Sequence, residues 1–392
     1  MIFEIPLIIA RVLIFLGGFA LVLVALESII HTLILPRAIN TPLIRWYYMS
    51  LNWIFRLRLT LARDNSYELR DRVMSMYAPV ALFLLPFVWL TLVLIGYTLI
   101  FYGLNYSESV WDDFVISGSS LLTLGTIVFP DQQPIVTVFM FTEAMIGMVL
   151  VALLISYLPT MYSAFAERER AVIQLTTPAG SPPSPVTMLK RLHRIGNFEE
   201  NIGSIWMDWR DWFTRIDESH TTYAPLVWFR SSKPDHSWIT SAGVVLDTAA
   251  LTTSVIDMPH NPRADLTIRA GYVALRNIAD FFRLEYNPAP QPDDPISISK
   301  AEFMAVVDEL EAEGLPIKPD REQAWKDFSG WRVNYDTVLL RLAALTMAPY
   351  AMWVSDRSMP QLPPRFDHLN EMTIREKQKL KEISDEEFVE HR

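Results

Sequence analysis

The chain has 392 residues, no cysteine, 26 prolines, 12 tryptophans and a formal net charge of −10. Without cysteine there is no disulfide scaffold, no thiol nucleophile and no cysteine-held zinc or iron–sulfur centre. The acidic balance argues against a nucleic-acid partner, whose binder presents a basic face. A mean hydropathy of +0.20 beside 20% charged residues averages two unlike halves that part near residue 170.

The first half carries 10 Lys/Arg and 12 Asp/Glu, most of them in two short stretches. Val73 to Ser107 is a run of 35 residues without one of these charges, and Ala144 to Ala166 a run of 23 following Glu143. Crossing a hydrocarbon core takes about 20 apolar residues, so both runs suffice. A third apolar run, 12–35, is interrupted by Glu27 and His31. It lacks the basic start and small-residue cleavage site of a signal peptide. The expected spans are 8–36, 79–104 and 135–166. Glu27 and His31 share a helix face, either meeting another span or snorkelling to the interface.

Arg37, Arg45, Arg56, Arg58, Arg63, Arg70 and Arg72 crowd the loop at 37–78, whereas 105–134 has no Lys or Arg. Arg168 and Arg170 follow the third span. The positive-inside rule puts 37–78 and everything after 167 in the cytoplasm and the N-terminus outside, in a plasma (inner) membrane. Within 37–78, aromatics interleaved with arginines suit a helix lying at the membrane interface.

The second half holds 24 Lys/Arg and 32 Asp/Glu. TTPAGSPPSP (176–185) reads as a linker. Beyond it, apolar residues recur three and four apart in several segments, and Ser299 with Glu302 forms a capping-box pattern. An all-helical domain is expected, with the Trp206, Trp209, Trp212 and Phe213 stripe in its core. Asp217, Glu218, His220, His236 and His260 match no metal-ligand spacing, and Arg230 to Lys233 reads as a turn. No dinucleotide fingerprint, Walker lysine motif or Ser–His–Asp order is present. Neither a cofactor nor an enzymatic activity is therefore expected.

The chemistry lies between the second and third spans. Residues 114–124 are apolar but too few to span, which suits a re-entrant half helix whose C-terminal end favours a cation. The stretch reads Ser120-Leu-Leu-Thr123-Leu124-Gly125-Thr126-Ile127-Val128-Phe129-Pro130-Asp131-Gln-Gln-Pro134. It resembles, without a gap, the S-x-x-T-L-T-T-V-G-F/Y-G-D-x-x-P filter region of the two-transmembrane pore-loop potassium channel family. Glu143-Ala-x-x-Gly147 before a long apolar helix resembles that family's inner helix. The resemblance covers about 79–168. It implies a homotetramer in membrane lipid that passes monovalent cations through a filter of Thr126, Ile127, Val128, Phe129 and Pro130. Ser120, Thr123 and Gly125 would belong to the pore helix and its end, and Asp131 would be a mouth charge or a solvated loop acid.

The family's two filter glycines fall on Val128 and Pro130. A β-branched residue at positive φ is an outlier and proline fixes φ near −65°, so potassium-type carbonyl rings cannot form in the usual way. Glu143 is either a functional intramembrane carboxylate or a brace on the pore helix through Ser119 or Ser120. Gly147 is a candidate hinge and Pro159 a candidate kink. The expected fold class is an all-α membrane protein. It divides into an N-terminal span and interfacial helix (1–78), a pore-loop channel domain (79–170), a linker (171–185) and an all-α cytoplasmic domain (186–392). Two functions compete: a cation channel of doubtful potassium selectivity, or a non-conducting channel-derived protein serving as a sensing or interaction module.

Overall fold

The computed structural model describes residues 4–35, 41–61, 67–107, 109–125 and 134–357. Their regular structure is helical, apart from one isolated bridge between Ile256 and Ile317. The chain forms two compact units, Met1–Ala164 with Thr222–Phe229, and Phe165–Thr221 with Arg230–Arg392.

The first unit contains α1 (Glu4–Leu33), α2 (Pro42–Leu61), α3 (Tyr67–Ser75), α4 (Tyr77–Gly103), α5 (Val110–Leu121) and α6 (Pro134–Ala179) as far as Ala164. Three helical stretches are long and apolar enough to cross a membrane: Pro6–Leu33, Asp71–Gly103 and Pro134–Ala179. Leu13, Phe83 and Ile155 on them are 63%, 67% and 70% exposed. Apolar side chains on every side suit lipid as the solvent.

Close backbone approach joins α1 to α4. A Cβ on Gly18 would lie 2.5 Å from the Gly96 carbonyl oxygen, and one on Gly96 would lie 2.6 Å from a Val22 methyl. In lipid such small-residue contacts replace the hydrophobic drive that water supplies. A buried hydrogen bond from Trp89 Nε1 to Ser28 Oγ, 3.0 Å, adds a polar fastening. Glu27 itself is exposed. Ile29, Ile44, Leu85, Trp89 and Leu150 form one apolar cluster, linking α1, α2, α4 and α6.

The second unit begins with residues 165–179 of α6. It continues with α7 (Pro185–Ile195), α8 (Phe198–Thr222), α9 (Trp238–Val255), α10 (Pro262–Phe281), α11 (Lys300–Ala312), α12 (Arg321–Arg332) and α13 (Asp336–Thr346). The stretch whose composition suggests a linker is therefore helical to Ala179, where Gly180 at φ +85° ends the helix. Burial overrides composition here, because Val172, Leu175 and Ala179 are all buried. Ser299 and Glu302 close the capping box that opens α11. Trp206, Trp209, Trp212 and Phe213 are buried, and Arg230 donates to the carbonyls of Thr346 and Met347.

At the centre lies α9, buried along nearly its whole length. Its one charge, Asp247, accepts from Arg332 Nη1 at 2.5 Å and from the Tyr335 hydroxyl at 2.9 Å. Arg332 also donates to Asp336 at 2.7 Å and to the Trp353 carbonyl at 2.6 Å. Burial opposes the guanidinium charge, but Asp247 and Asp336 outweigh it and hold Arg332 above its ordinary value.

A second buried group has a readable pH consequence. His220 Nε2 lies 3.4 Å from Arg168 Nη1 and Nδ1 lies 3.1 Å from Ser219 Oγ. Burial first, then the Arg168 charge, pushes the imidazole well below its ordinary 6.5. Below that pH the unfolded chain takes up a proton that the folded chain refuses, so stability falls as pH falls. The expected slope from this group is about 1.4 kcal/mol per pH unit. Melting of the full chain in detergent between about pH 7.5 and 5 reads it, and His220→Gln should flatten that part of the curve. A wild-type curve level across this window would contradict the assignment.

Candidate functional site: the end of the short helix

Ser109 caps the start of α5, accepting from Trp111 N at 3.2 Å. Twelve residues extend only about 18 Å. Asp113, Ile116, Ser117 and Leu121 form its buried side, the spacing of one helix face.

A left-handed cap ends the helix. Thr123 N donates to the Ser120 carbonyl at 3.1 Å, and Leu124 N donates to the Ser119 carbonyl at 2.9 Å. This pair of bonds is the Schellman arrangement, which places the residue after the C-cap in left-handed backbone. That residue is Thr123, at φ +54°. Glycine or asparagine takes the position at little cost, whereas a β-branched side chain is strained there. Gly125 follows at φ +115°, with open space where a Cβ would stand. Thr126, Ile127, Val128, Phe129, Pro130 and Asp131 lie outside the described residues.

The end of α5 presses on the middle of an apolar helix. A Cβ on Gly147 would lie 2.3 Å from the Leu121 carbonyl oxygen, so at this point only glycine lets α6 reach the end of α5. Gly147, a candidate hinge, lies in this contact, and the helix runs through it unbroken. It also runs through Pro159, which is exposed. Proline has no N–H, so the Ile155 carbonyl lacks its usual partner four residues on.

Glu143 is fully buried. It does brace α5, but through Ser117 rather than Ser119 or Ser120. Ser117 Oγ lies 2.5 Å from Glu143 Oε1 and 3.0 Å from the Leu94 carbonyl of α4. Ser119 and Ser120 are only half-buried, on the adjoining face. Three helices meet at one hydroxyl, and that hydroxyl has one proton for two acceptors. Both contacts are hydrogen bonds only if the carboxyl supplies a second proton, donating to Ser117 Oγ while Ser117 donates to Leu94.

This proton count gives a testable contrast. Glu143→Gln keeps a donor towards Ser117 and should change the melting temperature in detergent little. Glu143→Ala and Ser117→Ala each strand a buried partner and should cost about 1–3 kcal/mol. A glutamine variant as damaged as the alanine variant would overturn the count. Sequence reasoning missed Ser117 and Asp113; their spacing with Leu121 at four-residue steps was the available signal.

Beyond Gly147, α6 shows two exposed faces. One carries large apolar side chains, Met148, Val151, Ile155, Leu158 and Tyr162. The other carries Val149, Ala152, Ser156, Thr160 and Ser163, all exposed and all small, branched or hydroxylated. Ser156 donates to the Leu153 carbonyl and Thr160 to the Ser156 carbonyl, each at 2.9 Å. Their protons stay on their own helix, leaving oxygen lone pairs directed outward. In the second unit no group of three or more His, Asp or Glu side chains converges among the described residues. Comparison of the chain with protein-family models, curated proteins and solved structures found no match.

Proposed function

We propose that the chain is a pore-loop cation channel, a ring of identical subunits in which α6 lines the ion path and α5 is the re-entrant pore helix. The observation that carries this reading is the contact of Leu121 with Gly147. Gly147 lies thirteen residues inside the start of α6, about 20 Å along it, so α5 ends at the depth of the apolar middle. A helix ending there leaves carbonyls in hydrocarbon unless neighbouring protein or water receives them. Identical neighbours around a closed axis supply both. The partial negative charge of the α5 end and the outward lone pairs of Ser156 and Thr160 favour a cation along that axis. Four subunits, an inner-membrane location, and cytoplasmic placement of α2 and the second unit follow the resemblance and the arginine distribution.

A second reading rests on Val128 and Pro130, which occupy the positions of the filter glycines. On that reading the membrane unit no longer conducts and anchors the helical unit as a sensing or interaction module. Purified protein in a planar bilayer, with potassium on one side and sodium on the other, separates the two. A channel gives current with a reversal potential near zero, because the carbonyl rings that discriminate potassium are compromised. Native mass measurement in the same detergent should find a tetramer. No current from a monomer or dimer would end the channel reading and favour the second.

A further inference from the structure

Helix α2 has two apolar sides, and packing accounts for one. Ile44 and Leu51 are buried, Ile44 in the cluster that includes Trp89 and Leu150. The Tyr47 hydroxyl donates to the Ala81 carbonyl at 2.5 Å, and the Tyr77 hydroxyl donates to the Tyr48 carbonyl at 3.2 Å. These two bonds fix the rotation of α2 about its axis. The side turned away carries Trp46, Met49 and Trp53, exposed by 72%, 55% and 64%.

One margin of that exposed side is basic. At about 100° per residue, Arg45 and Arg56 fall together along it, whereas Arg58 falls in line with Leu51 on the packed side. All three are exposed. Arg56 Nε points to Asn52 Oδ1 at 3.4 Å on the same margin. No acidic residue occurs in Pro42–Leu61, so nothing on the helix neutralises the three charges.

We infer that this side of α2 binds an anionic phospholipid leaflet, with Arg45 and Arg56 on lipid phosphates and the two tryptophans at headgroup level. The chemistry divides the work. Tryptophan rings settle at the membrane–water boundary whatever the headgroup, so Trp46 and Trp53 give affinity without choice. Guanidinium forks pair with phosphate oxygens in two parallel hydrogen bonds. A zwitterionic headgroup offers the same phosphate but cancels it with its own cation, so Arg45 and Arg56, with no acid on their helix, prefer a net anionic lipid. The inference is independent of whether the pore conducts. Leu153 and Leu154 of α6 pack on the same cluster as Ile44, so lipid held on α2 bears directly on α6.

The test uses full-length protein in detergent, offered equimolar phosphatidylglycerol and phosphatidylcholine, with retained lipid counted by native mass spectrometry. Phosphatidylglycerol should be retained in clear excess. Arg45→Gln with Arg56→Gln should cut that excess about fivefold per arginine, without changing the melting temperature, since both side chains are exposed. Raising salt from about 0.1 M to about 1 M should erode the wild-type preference, which tests the same claim with no variant. Equal retention of the two lipids by the wild type, or a preference that survives the double substitution or high salt, overturns the inference. Complete displacement of phosphatidylglycerol by millimolar inorganic phosphate also overturns it, because the site would then be an anion pocket and not a leaflet surface.

Discussion

Gly147→Ala is expected to lower the stability of the membrane unit by about 1–3 kcal/mol and to abolish any current. The added methyl would stand 2.3 Å from a backbone oxygen, that of Leu121. A carbonyl at a helix end cannot rotate aside as a side chain can, so either α5 withdraws or α6 bends. The matched control is Gly17→Ala, where nothing lies within 4 Å of the new Cβ. There the gain in helix propensity, up to about 1 kcal/mol, should appear unopposed. Melting of both variants in one detergent reads the difference. Equal behaviour of the two would mean that α5 does not rest on α6 as described.

Arg332→Ala should be the most damaging single change in the second unit, at about 3–5 kcal/mol. It leaves Asp247 and Asp336 facing each other in a dry interior and strands the Trp353 carbonyl and one acceptor site of Asp247. Against the 5–15 kcal/mol that typically holds a domain together, this is a large share. Replacing all three charged residues with apolar ones of similar volume should restore only the part of the loss that comes from unpaired charge, because Tyr335, Ser297 and the Trp353 carbonyl still lose their partners. Denaturant titration followed by tryptophan fluorescence tests both statements. A triple variant as unstable as Arg332→Ala would show that the triad is worth more than its apolar replacement.

The membrane-crossing stretches were legible because lipid demands apolar residues on every side of a helix, and Val73 to Ser107 meets that demand without a charge. Helix α9 was legible as a helix but not as the centre of its unit, since a helix buried all round has no amphipathic stripe to give its orientation. That Glu143 would seek a serine on the short helix could be read. Which serine depended on the rotation of α5, fixed by burial of Asp113, Ile116 and Leu121. Arg168 reads from sequence as an orienting positive charge just after the third span. It is buried instead, paired with Glu169 at 2.7 Å and set 3.4 Å from His220, 52 positions away, and no local pattern encodes a separation of that length. The strained Thr123 was visible only as a match to a family threonine, because φ is a property of the fold and not of the residue name.

The Gly18–Gly96 approach limits how copies of this chain could pack. By lying against α4 at backbone distance, α1 closes that flank of α4 to any other helix. The flank left open runs through Phe83, Phe87, Thr91 and Ile95, a single line of side chains at four-residue spacing. In the proposed ring, α1 would sit at the perimeter and widen each subunit without adding to the wall of the central axis. Its loss would shrink the circumference presented to lipid while leaving α5 and α6, the proposed inner wall, unchanged.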